Sequence, residues 1–166
     1  MDAGRTISER SAGKSRWKAI AVAGLLAGTL DLIGAVTVYQ VNPMQVLKFI
    51  ASGAFGVGAL SGGPAMVVWG IVFHYLIAFS WTIIFFLLFP SFPFLSKNKY
   101  VTGSLYGIFI WIVMNMIVIP LSAVPQAPFN LRSAVIGALI LIVAVGLPIA
   151  ILTHRYYSRN GVRGTS

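Results

Sequence analysis

Four runs of predominantly apolar residues, at positions 19–41, 65–89, 101–121 and 134–156, constrain this chain more than any other feature. A helix needs about 20 such residues to cross the hydrocarbon layer of a bilayer, where every backbone polar group must find its partner within the segment. Composition agrees, since 58% of residues are hydrophobic and 9% charged, against about 25% charged in a soluble domain. The pattern predicts an all-α fold, an integral-membrane four-helix bundle. Residues 1–18 read as a basic cytoplasmic tail, 19–156 as one transmembrane domain and 157–166 as a second basic cytoplasmic tail. Trp17 and Tyr39 flank the first run, Pro64 opens the second after Gly62-Gly63, and Pro120 closes the third.

The first run follows Arg5, Arg10, Lys14, Arg16 and Lys18, as a signal peptide would. It exceeds the roughly 7 to 15 apolar residues of a cleaved segment, however, and three further spans follow, so it reads as a retained helix. Lys97, Lys99, Arg155, Arg159 and Arg163 fall on the same side as the N-terminal cations, leaving Lys48 and Arg132 opposite. This bias predicts both termini on the cytoplasmic side of the membrane. The net charge of +9 is carried by tails and short loops without a stacking platform, so it points to anionic headgroups and not to nucleic acid. With no cysteine, disulfides, thiolate chemistry and iron–sulfur ligation are excluded.

The connection 42–63 is too long and apolar for a plain turn. Met44, Leu47, Ile50 or Ala51, and Ala54 or Phe55 recur at helical spacing opposite Gln45, Lys48 and Ser52. This predicts a short interfacial helix in the first outer loop, followed by a return through Gly53, Gly56, Gly58, Gly62 and Gly63. A surface connector is favoured over a lid or re-entrant segment, because irregular backbone is excluded from lipid.

Asp2 and Glu9 belong to the N-terminal tail, which isolates Asp31 near the middle of the first span. An ionisable group there costs at least about 2.5 kcal/mol on insertion scales, so it must face the bundle or water. Helical rise sets Asp31 roughly 18 Å, His74 roughly 22 Å and Asn115 roughly 21 Å above the cytoplasmic end. The three form a candidate intramembrane polar cluster. Gly24, Gly28, Asp31 and Ala35 share one helix face, as do Gly70, His74 and Ala78, then Ser104, Gly107, Trp111 and Asn115, and finally Gly146, Ala150 and His154. Gly24, Gly28, Gly70, Gly103, Gly107 and Gly146 therefore read as helix-packing positions. The repeated spacing of Gly24 with Gly28 and Gly103 with Gly107 is a weak echo compatible with duplicated halves. His154, beside Arg155 and Tyr156, reads as interfacial.

Two readings of the trio stay open. One is a pathway for protons or a small polar or cationic solute; the other is interhelical glue, at about 0.6 kcal/mol per hydrogen bond, in a scaffold or accessory subunit. An enzyme, such as a lipid-modifying one, ranks behind both. His74 and His154 differ in depth by approximately 18 Å, too far to share a haem iron. One Asp and two separated His do not make a metal site, and no catalytic pair or cofactor motif is visible. The expected partners are membrane lipids, with further copies of the chain or a larger membrane complex at the glycine faces.

The strings GTLDLIGA, VLKFIASGAFG, FHYLIAF, YGIFIWIVMNMIVIPLSA and GLPIAIL together resemble the YagU-like family of small bacterial four-span inner-membrane proteins. The similarity runs from about Gly24 onward with the spans in the same order. It implies an inner-membrane protein with Asp31, His74 and Met114-Asn115 inside family-like motifs, and it implies no activity. Leu60-Ser61 departs from relatives that carry an acidic residue before the double glycine, which weakens a cation-binding role for the outer loop.

Overall fold

The computed structural model describes residues 3–125, 128 and 130–159, with side chains from Ser15 onward. The tail cations Arg5, Arg10, Lys14 and Arg163 and the acidic Asp2 and Glu9 fall, wholly or by their side chains, outside the described residues. The fold is all-α, with no strand among the described residues. Helix α1 spans Ala3–Tyr39, α2 Pro43–Phe55, α3 Gly58–Ser61 and α4 Pro64–Leu88. Two short 3₁₀ turns, Phe89–Ser91 and Pro93–Ser96, lead to α5, Lys99–Leu121, and α6 covers Leu131–Arg159. Four of these helices are long and apolar enough to cross a membrane. At most 28% of the most apolar window of each is buried within the protein. Large apolar side chains such as Leu76, Leu105 and Val143 are exposed, as a lipid-facing surface requires.

Capping fixes the helix starts. Asn42, Asn98 and Asn130 each accept a backbone N–H of the first turn of α2, α5 and α6, and Pro43 and Pro64 occupy first-turn positions where a missing N–H is harmless. Within α5 and α6 the helix widens to π geometry at Met114–Val118 and Leu141–Gly146. Each widened stretch ends two residues before a proline, Pro120 or Pro148. A helical proline lacks the N–H for its i−4 carbonyl and crowds that carbonyl with its ring, and a wider turn relieves the clash. Pro120 thus lies inside the last turn of α5.

In space the long helices neighbour one another in the order α4, α1, α6, α5. The α5–α6 contact is closest: a methyl on Gly146 would collide with the backbone of Gly103 and Gly107. On the α1–α4 contact, Gly24 faces the Phe79 ring and Gly28 faces Tyr75 and Ala78. Between α4 and α5 the approach is through long side chains, with Trp81 against Tyr106 and Phe109 and Phe85 against Tyr106.

These contacts are concentrated toward one end. Ile20, Ala23, Phe85, Phe86, Phe89, Tyr106, Ile149 and Tyr157 form a filled core in the half nearer the chain ends. The Tyr106 hydroxyl donates to the Trp81 carbonyl at 2.6 Å and the Tyr157 hydroxyl to the Phe86 carbonyl at 2.9 Å. In the other half the helices are spread by α2. That helix crosses α4 where Gly70 meets the backbone of Leu47, about 9 Å along α4 from Pro64. Its inward face agrees with the expected one at Leu47 and Ala51, which are buried, and departs from it elsewhere. Ser52, assigned to the polar side, is fully buried, whereas Met44 and Phe55 are exposed. A small Ser can take the buried place because its hydroxyl is satisfied locally by the Phe49 carbonyl at 2.6 Å.

Candidate functional site: a cavity at Asp31 and His74

The spread half encloses a cavity of about 790 Å³. Asp31 and Tyr39 reach it from α1, Phe49 and Ile50 from α2, His74 and Trp81 from α4, and Trp111 and Asn115 from α5. Ser133 and Gly137 of α6 complete the wall, and Pro125, Pro128 and Asn130 of the α5–α6 connection border it above. At the bottom it meets Ile110 and Val145, which belong to the filled core. It therefore reaches from one end of the bundle to mid-depth and stops.

His74, Asp31 and Asn115 all line this cavity, and each is held differently. His74 is buried, and its Nε2–H donates to the Gly28 carbonyl at 2.7 Å. A carbonyl only accepts, so Nε2 carries a proton and Nδ1 is the nitrogen left to take up another. This bond is a tie between α4 and α1, supported one step away by the Thr29 and Tyr75 hydroxyls at 2.9 Å. Gly28 makes the tie feasible, since a side chain there would press on Tyr75 and Ala78.

Asp31, one helical turn above Gly28, is close enough to His74 for the two to interact electrostatically. Among the described residues no protein donor is hydrogen-bonded to its carboxylate. Asn115 sits in the π stretch of α5, and its Nδ2–H donates to the Trp111 carbonyl at 2.9 Å. The three side chains share one cavity, but no direct hydrogen bond joins them. His154 lies apart near the other end, with Nε2 3.3 Å from the Ser96 carbonyl and its ring edge-on to Phe89.

Sequence reasoning passed over the aromatic and hydroxyl lining. The Tyr39 hydroxyl donates to the Ser133 carbonyl at 3.2 Å, linking α1 to α6, and Gly137 leaves room for the Trp111 indole beside it. Tyr39 had a generic explanation as an interfacial anchor, and Trp81 looked like any apolar residue of its span. No spacing rule marks either as a cavity wall.

Chemically the site offers one carboxylate and one imidazole in a largely apolar enclosure, where interactions between charges are stronger than in water. The fold and this cavity define a multi-pass helical membrane protein with a largely apolar recess that carries Asp31 and His74 and ends at the filled half of the bundle. No known protein family, no curated protein and no solved structure matches the chain.

Proposed function

We propose that this protein is a pathway for protons or a small solute in the inner membrane of a bacterium, with Asp31 and His74 as its central groups. The proposal includes the topology read from the Lys and Arg distribution, with both termini cytoplasmic and the cavity facing outward, and membership of the YagU-like family. The observation that carries it is the asymmetry of the bundle. A purely structural four-helix protein gains from packing both halves, yet here one half is filled by aromatic rings and the other holds a recess around a mid-depth carboxylate. A group at the inner limit of a one-sided recess is reached by solutes from that side and is separated from the other by the aromatic layer.

A scaffold or accessory-subunit role is the second reading. It draws on the His74–Gly28 tie, which is interhelical glue in its own right. In that reading the chain meets anionic lipid and further copies of itself or a larger complex through surfaces other than the glycine faces, which are filled by contacts within the bundle.

Proton and cation flux into liposomes carrying the purified protein separates the two. The pathway reading expects a flux above that of empty liposomes which falls at least tenfold in Asp31→Asn. Equal flux in wild type, Asp31→Asn and empty liposomes removes it and leaves the scaffold.

A further inference from the structure

The cavity wall restricts which solute it can hold. Asp31 is its one carboxylate, and among the described residues lining it there is no Lys or Arg. Lys48 is absent from this wall and lines a neighbouring hollow of about 710 Å³ that shares Ala35, Tyr39 and Phe49 with the cavity. An anion would therefore enter a cavity with a fixed negative group and no permanent counter-charge. A bare inorganic cation such as Ca²⁺ needs roughly six to eight oxygen ligands, and beside Asp31 the wall offers only scattered amide and hydroxyl groups. What the wall supplies in quantity is apolar and aromatic surface, including Phe49, Trp81 and Trp111. Aromatic faces attract cations through the ring quadrupole, and such enclosures recognise substituted ammonium groups. A volume of about 790 Å³ lies within the roughly 300 to 1,000 Å³ of drug-sized ligand sites.

We propose that the cavity binds a lipophilic organic cation bearing one positive charge, with that charge at Asp31 and its hydrocarbon body against the aromatic wall. The assignment deepens the solute-pathway reading and rests on it. The ligand meets Asp31 as an ion pair in a low-dielectric enclosure, so its affinity depends on the carboxylate being ionised. The titratable side chains facing the cavity are Asp31 and Tyr39 of α1 and His74 of α4; the lining residues described on α2, α5 and α6 contribute none. Protonation of Asp31 removes the cation's counter-charge and so opposes its binding.

The test is equilibrium binding of radiolabelled tetraphenylphosphonium to the full chain in nanodiscs, with empty nanodiscs subtracted. The expected result is saturable binding that weakens at least tenfold in Asp31→Asn and weakens in the wild type as pH falls. The charge dependence is read on the wild type alone, by competition with neutral triphenylphosphine oxide and with the tetraphenylborate anion. Both should compete at least tenfold more weakly than unlabelled cation. Equal competition by the neutral compound, or undiminished binding by a correctly assembled Asp31→Asn protein, overturns the assignment. Asp31-dependent proton flux without cation binding overturns it too, while leaving the pathway reading intact. Asp31-dependent binding without any flux supports the site and removes the pathway.

Discussion

The Nε2–H of His74 donates to the backbone carbonyl of Gly28 across 2.7 Å, joining α4 to α1, the helix that carries Asp31. This bond sets the neutral tautomer of His74 and turns Nδ1 into the basic site. Nitrogen-15 NMR of selectively labelled protein should therefore find the neutral imidazole of His74 protonated at Nε2. A neutral imidazole protonated at Nδ1 is incompatible with the tie. Removing it with His74→Phe should cost about 0.6 kcal/mol and at most about 1.7, the range of interhelical hydrogen bonds in membranes, read as the shift in unfolding free energy.

The glycine positions differ in what a side chain would meet. At Gly146 an added methyl runs into backbone atoms of Gly103 and Gly107, which cannot step aside without separating α5 from α6. Gly146→Ala should lose about 1 to 3 kcal/mol, as overpacking does. At Gly58 nothing lies within 4 Å, so Gly58→Ala should stay within about 0.5 kcal/mol. Reversible unfolding in mixed micelles measures both, and a Gly146→Ala loss no larger than that of Gly58→Ala contradicts the close α5–α6 contact.

Because the chain contains no cysteine, single thiols report on access without background. Asn115→Cys and Ser133→Cys, both facing the cavity, should react with a membrane-impermeant thiosulfonate added from outside. Ile149→Cys, in the filled half with no exposed surface, should stay unlabelled from either side. Labelling of Asn115→Cys from the cytoplasmic side alone would reverse the proposed orientation.

The aromatic layer should act as a seal. Phe85→Ala removes a fully buried ring that packs on Tyr106 and Phe89, and should cost about 3 to 5 kcal/mol. Tyr106→Phe keeps the ring and loses the hydrogen bond to the Trp81 carbonyl, so its cost should be smaller, at most about 1.7 kcal/mol. If the layer closes the recess, Phe85→Ala raises passive proton leak in liposomes whereas Tyr106→Phe does not. Indistinguishable leak from the two variants argues against a seal in this layer.

Several errors of sequence reasoning share one origin. Ser52 was assigned to the polar side of α2 because an isolated helix is read by polarity alone. The structure buries it because Gly70 admits the α2 backbone and Phe49 satisfies the hydroxyl. Helical rise counted Asn115 to the depth of Asp31 and His74, and the three do line one cavity, but a straight helix gave no notice of the π turns at Met114–Val118 and Leu141–Gly146. Their one visible signal is the proline that follows each.

The sequence alone determined the four long helices, because the expense of unpaired backbone in hydrocarbon is local and leaves a run of about 20 apolar residues one stable conformation. It also singled out Asp31, since a charge within such a run is conspicuous in any arrangement. Tertiary structure decided that one half is filled by Phe85, Phe86, Tyr106 and Tyr157 while the other opens around Asp31. It likewise decided that the proton on His74 Nε2 goes to a carbonyl of α1. Those outcomes depend on how helices rotate and cross, which is set by close approach at Gly28, Gly70 and Gly146 between segments far apart in the chain. Periodicity along one helix carries no information about which neighbour will meet it.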